Sequence, residues 1–258
     1  MTSRNLFGKL LVIAVSLLLC TVGTDVYAKK GPAPTKAPAG PTQLEGPIGL
    51  QAAGLSWGQS IKEVYKVFDG IIDKDYLPKW ENVQPGVQMK DLEAEIEGKK
   101  LEIRQSKIEF NDLPTNLDGT AFMGEFTYRN QEVMLTVERK GYKRSLFFIR
   151  NRLWKIIDVY QYAEKGIFGK DLLAAVEKLE KKLGSEGRQV DADPAQGRTR
   201  SEFDWQDDKT HLRAVAWSDT AFAVIYEDRE TVAKLASLRT AKPEADSGID
   251  ASTKAVLR

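Results

Sequence analysis

Apolar residues recur along this chain with two periods, and the switch between them lays out its elements. Ile61, Val64, Tyr65 and Phe68 fall at i, i+3, i+4 and i+7, the spacing that presents one stripe of a helix to a core. Leu172, Ala175, Val176 and Leu179 repeat that spacing. Both runs open alike. Trp57-Gly58-Gln59-Ser60 precedes the first and Phe168-Gly169-Lys170-Asp171 the second, each reading aromatic, Gly, polar residue, N-cap residue. Glu63 follows Ser60 at capping-box spacing. Gly70 and Gly184 are the expected stops, and Glu177 and Lys181 sit four apart in the favourable order.

Beyond each helix the period falls to two. Glu132 to Glu138, Tyr142 to Ile149 and Leu153 to Tyr160 read as strands, separated by turns at Lys140-Gly141 and Arg150-Asn151-Arg152. Ser201 to Trp205, Leu212 to Trp217 and Ala221 to Tyr226 do the same, with turns at Asp207-Asp208-Lys209 and Ser218-Asp219-Thr220. Lys140 aligns with Lys209, Arg144 with Arg213 and Leu153 with Phe222. The pattern predicts an α+β fold of two tandem helix-plus-antiparallel-meander units, spanning 55–165 and 166–240. The first unit carries an insertion over about Ile71 to Tyr128. There Met89, Leu92 and Ile96 predict a helix closing at Gly98, Leu101 to Phe110 alternates weakly, and Met123 to Tyr128 reads as a further strand.

The Gly-x-Ser-x-x-Glu-Val opening at Gly58 to Val64, with its apolar continuation to Phe68, resembles the helix start of the SmpA/OmlA-type outer-membrane assembly lipoproteins. Tandem use of such a unit is similar to the beta-lactamase inhibitor proteins. The resemblance covers about a dozen residues per unit. It implies an exported, non-catalytic module of helices on an antiparallel sheet that binds other proteins.

The chain's start agrees with export. Arg4 and Lys9 precede an apolar run from Leu10 to Cys20 broken only by Ser16, and Val26-Tyr27-Ala28 fits a signal-peptidase site. The run is far short of the roughly 20 residues that span a bilayer. Residues 1–28 therefore read as a signal peptide, and cleavage near Ala28 gives a periplasmic or secreted protein. The alternatives are a membrane anchor through lipidated Cys20, where Leu19 departs from the small residue a lipobox needs, or an uncleaved signal. Cys20 is the only cysteine, so cleavage leaves no thiol, disulfide or cysteine metal site.

Composition narrows the partners. The chain has 38 Lys+Arg and 37 Asp+Glu; losing Arg4, Lys9 and Asp25 leaves 36 of each. No basic excess exists to drive nucleic-acid binding. No second apolar run approaches membrane-spanning length, so the mature domain is not expected to span one. Residues 29–54, with Pro32, Pro34, Pro38, Pro41 and Pro47, read as a Pro/Gly/Ala-rich tether, and 241–258 as a disordered tail.

Catalytic signals are sparse. His211 is the only histidine and lies in an expected strand, so a Ser-His-Asp triad would have to use it, and zinc sites rich in His and Cys cannot be assembled. Asn116, Asp118, Gly119 and Glu125 echo a calcium loop, but Pro114 stands where the first carboxylate belongs. Asp204, Asp207 and Asp208 beside Trp205 resemble a sugar site, but a solvated hairpin turn explains the acids better. No phosphate loop is present, and no cofactor or metal is expected. Phe147, Trp154, Trp205 and Trp217 are the candidate partner-binding residues. In Leu146-Phe147-Phe148-Ile149 four apolar residues are consecutive, so either both faces of that strand are covered or one is open to a partner. The expected function is an exported binding or scaffold module engaging a protein or envelope component through a sheet face. An exported carboxylate-dependent hydrolase is the alternative.

Overall fold

The computed structural model describes residues 40–111, 124–139, 141–193, 195 and 200–241. Helix α1 (Ile61–Trp80) starts where the sequence predicts. The Ser60 hydroxyl accepts from the Glu63 amide, and the Glu63 carboxylate accepts from the Ser60 amide at 2.7 Å, closing the capping box. The helix does not stop at Gly70. That residue permits a left-handed turn but does not take one, and Ile71 and Ile72 carry the apolar stripe onward from Phe68. Helix α2 (Val87–Gln105) likewise runs through Gly98, burying Leu92, Ile96 and Ile103 at consistent helical spacing. The weak alternation from Leu101 is therefore helix for its first half, and only β2 (Ile108–Glu109) remains of the expected strand. Residues 124–128 form no strand, and Met123 lies outside the described residues. Three ion pairs fasten the two helices: Asp69–Arg104 at 2.7 Å, Asp73–Lys100 at 2.9 Å and Lys79–Glu95 at 3.0 Å.

Two antiparallel meanders follow. The first is β3 (Glu132–Arg139), β4 (Tyr142–Ile149) and β5 (Arg152–Gln161). Then come α3 (Leu172–Leu183) and β6 (Arg188–Val190), and the second meander β7 (Glu202–Gln206), β8 (Thr210–Ser218) and β9 (Ala221–Asp228). Asp171 caps α3, and Gly184 ends it at φ 75°, as expected. The third strands of the two meanders pair antiparallel, with Ile157 opposite Ile225, and make one sheet. With β1 (Thr42–Gln43) included, its order is β1-β7-β8-β9-β5-β4-β3-β2, and β6 joins β7 beside β1. The architecture is α+β.

Each sheet face has its own core. On one, Val64 and Phe68 of α1, Ile103 of α2, and Ala175, Val176 and Leu179 of α3 pack over Leu135, Leu146, Phe148, Ile156 and Val224. On the other, Phe147, Ile149, Trp154, Ile157 and Ile225 lie under Phe110, Phe126, and Leu235 and Leu238 of a fourth helix. That helix, α4 (Arg229–Leu238), is capped by Asp228 and is not legible in the strand pattern that precedes it. The run Leu146 to Ile149 is thus covered on both sides.

The tether expectation fails for its second half. Leu44, Ile48 and Leu50 are buried against the first core. The Leu44 amide donates to the Gln206 carbonyl at 2.8 Å, and the Ile48 amide to Asp207 Oδ2 at 2.5 Å. Beyond those side chains, Thr42 and Gln43 pair with Trp205 and Gln206 of β7. Residues 29–39, the signal-like residues 1–28 and residues 242–258 lie outside the described residues; the Ala241 amide donates to Asn130 Oδ1 at 2.9 Å. Among the described residues no helix is long and apolar enough to cross a membrane.

Candidate functional site

The four aromatics singled out in the sequence do not form an open surface. Phe147, Trp154 and Trp205 are buried, because helices cover one sheet face and α4 with Phe110 and Phe126 covers their part of the other. Trp205 packs on Gly187 and donates to the Ser185 carbonyl at 3.1 Å. Trp154 has two cations at its ring, Lys155 Nζ at 4.4 Å and the Arg239 guanidinium at 5.2 Å. Trp217 is half-buried against the second core. Only it retains surface a partner can reach, so these positions are core residues first.

The second face changes character across the sheet. From β5 to β6 the apolar side chains give way to a strip of charge. Lys155 of β5 reaches Glu125 at 2.5 Å and Glu227 of β9 at 3.0 Å. Arg213 of β8 bridges Glu227 at 3.2 Å and Glu202 of β7 at 3.1 Å. Arg188 of β6 holds Asp204 of β7 through two hydrogen bonds, at 2.9 and 2.5 Å. His211 sits in the middle. Its Nδ1 lies 3.4 Å from Glu227 and its Nε2 3.5 Å from Asp204. Burial pushes the imidazole down, but the two carboxylates outweigh it and raise its pKa. Burial pushes Glu227 up, yet His211, Lys155 and Arg213 hold it far below the usual carboxylate range. Asp204 is lowered for the same reason, by Arg188 and His211 against its burial. A carboxylate so stabilised as an anion is a poor general acid.

Asp207, the next acid in that sequence cluster, serves the hairpin: its Oδ1 accepts from the Lys209 and Thr210 amides at 2.7 and 2.6 Å. Asp208 is exposed. Within the cluster Asp207 forms a turn and Asp204 an ion pair. Pro114, Asn116, Asp118 and Gly119 of the calcium-like loop lie outside the described residues, and Glu125 is committed to Lys155. Among the described residues no group of three or more His, Cys, Asp or Glu could hold a metal ion.

The open site is on the first face. Between α1, α2 and the ends of β3 and β4 lies a groove of about 1130 Å³. Its floor is Phe68, Ile71, Ile72, Ile103 and Val137, and Gln51 to Ala53 of the strap form one end. Its rim is polar and largely self-paired. Tyr76 donates to Glu95 at 2.8 Å beside Lys79, Arg139 meets Asp75 at 2.8 Å, and Lys99 meets Glu102 at 2.8 Å. Hydrogen bonds from Lys79 and Tyr76 lower the Glu95 pKa. At the groove edge the β3 backbone is closed by Ser106, whose hydroxyl accepts from the Thr136 amide at 2.8 Å. Sequence reasoning missed this site because it ended α1 at Gly70. The apolar pair Ile71-Ile72, one turn past Phe68, was the signal for it.

A scan against protein-family models finds no match to this chain, and searches of the curated proteins and of the solved structures find none either.

Proposed function

We propose that the chain is an exported, non-catalytic binding or scaffold module of the bacterial cell envelope that takes a protein partner in the groove beneath the α1–α2 hairpin. This moves the expected contact from an aromatic sheet face to a helix–sheet groove. The single observation behind it is the groove's make-up, an open apolar floor within a rim of both charge signs. An amphipathic segment of a partner suits that make-up: its apolar side buries on the floor and its polar side meets the rim. The SmpA/OmlA-like opening at Gly58 to Val64 agrees with a binding module, and the signal-like first 28 residues agree with export.

The hydrolase alternative draws less support. The groove carboxylates Asp75, Glu95, Glu102 and Glu138 each have a cation within 3.3 Å or less, namely Arg139, Lys79, Lys99 and Lys143. Affinity capture from a solubilised envelope fraction tests the proposal, with Ile72→Arg as the matched control. A partner held by the natural chain and lost from the variant supports it. Hydrolase activity in a substrate screen, with no Ile72-dependent partner, overturns it. Intact mass of the exported protein tests the compartment: loss of residues 1–28 is expected, and lipid on Cys20 or a retained signal would replace a free protein with an anchored one.

A further inference from the structure

We propose that His211 makes the β6–β9 half of the sheet responsive to pH, by supplying the fourth cation of a strip that carries four carboxylates and so fastening β7 to β9 across β8. The inference is independent of the groove.

The charge balance is explicit. Glu125, Glu202, Asp204 and Glu227 face three permanent cations, Lys155, Arg188 and Arg213. His211 stands opposite Gln206 of β7 and Glu227 of β9 in the strand register. Its two ring nitrogens lie near carboxylates on different strands, Nε2 3.5 Å from Asp204 and Nδ1 3.4 Å from Glu227, and the buried Nε2 has no completed hydrogen bond among the described residues. Both nitrogens carry protons only in the imidazolium, so only the charged ring can serve both carboxylates at once. A neutral ring leaves one carboxylate facing a lone pair. β6 gives Arg188, β7 gives Glu202 and Asp204, β8 gives Arg213, β9 gives Glu227, and β5 gives Lys155. Elsewhere on this face Arg239 and Glu132 pair with each other at 2.8 Å, and on α4 Lys234 pairs with Glu230 while Arg229 donates to the Asp207 carbonyl. No further cation among these is available to replace the imidazolium.

The element that depends on it is the sheet edge. Among the described residues β7 is flanked outside only by the short strands β1 and β6. The raised imidazole pKa fixes the sign. The stabilisation is fully present below the ordinary value of 6.5 and is lost as pH rises through the folded-state value.

Amide hydrogen exchange at residues 188–190 and 202–206, corrected for intrinsic rates, tests this at pH 6 and pH 8. In the natural protein protection there should fall roughly tenfold at the higher pH while β4 and β5 are unchanged. In His211→Gln and in Asp204→Asn the two pH values should give the same protection. Equal protection at both pH values in the natural protein, or an equal fall in His211→Gln, overturns the proposal. Should the variants not fold, the His211 ring is titrated by NMR in the natural protein, and a midpoint at or below 6.5 overturns it equally.

Discussion

Arg144 grips Asp158 through two parallel hydrogen bonds, Nε to Oδ1 at 2.7 Å and Nη2 to Oδ2 at 2.6 Å, with both side chains essentially sealed from solvent. The pair joins β4 to β5 on the helix-covered face, under Tyr142 and Tyr160. Burial pushes the Asp158 carboxyl up, against the pull of the guanidinium, and Arg144 Nη1 makes no hydrogen bond among the described residues. The pair is therefore costly to break and modest in net worth. Arg144→Ala or Asp158→Ala should each destabilise by about 3–5 kcal/mol, because each strands a buried charge. The double replacement Arg144→Leu with Asp158→Leu should cost far less than the two losses added. Urea unfolding of the four proteins checks this.

Arg239 fixes the end of α4 to the sheet. It donates to both oxygens of buried Glu132, at 2.8 and 2.9 Å, and stacks on Trp154. Arg239→Ala should cost about 2–3 kcal/mol, since among the described residues Glu132 then keeps only Thr127 as a partner. Loss of the cation over the ring should also shift Trp154 fluorescence, which distinguishes undocking of α4 from a general loss of stability.

Gly187 is small for a packing reason. A Cβ placed there would fall inside the Trp205 indole. Gly187→Ala should cost about 1–3 kcal/mol by forcing Trp205 off its seat under β6, measurable as a lowered unfolding midpoint. Gly46→Ala, with open space around the site, should change the midpoint little on packing grounds.

How far the sequence carried the fold follows from which forces were local. The six meander strands and both capped helix starts were legible because alternation and the Ser60–Glu63 spacing are short-range signals. The end of α1 was not. Gly70 looks like a stop, but the decision lies with Ile71 and Ile72 packing on the core that holds Ile103 of α2, a tertiary contact that no local pattern reports. The strap at 44–50 reads as tether because three apolar residues among prolines cannot show that a core awaits them. Whether Phe147 and Trp154 face an open surface is left undecided by the sequence, because α4, which helps cover their face, has no signal in the strand pattern, while Trp205 belongs to the helix-covered core. The groove depends on the same helix, and its sequence signal, the Ile71-Ile72 pair, lies beyond the apparent stop at Gly70.

Acid should weaken the protein through Glu227. Its folded pKa lies far below the ordinary 4.5, so its stabilisation is complete above 4.5 and is lost progressively as pH falls below it. His211 contributes with the opposite sign at higher pH. Glu227→Gln should flatten the acid limb of a stability–pH curve while lowering its plateau by about 2–3 kcal/mol, read from unfolding midpoints between pH 3 and pH 7.

The groove is the centre of the account, and site-specific photo-crosslinking in intact envelopes tests it most directly. A photoreactive residue at Tyr142, on the groove edge, should give one discrete adduct with a partner protein. The same residue at Lys62, an exposed position of α1 that does not line the groove, should give none. Adduct formation at Tyr142 should fall about tenfold or more when Ile72→Arg is added, given that burying a charge on an apolar floor costs well over 1.4 kcal/mol. Equal adducts from Tyr142 and Lys62, or adducts at Tyr142 that Ile72→Arg leaves unchanged, would contradict a partner seated in the groove.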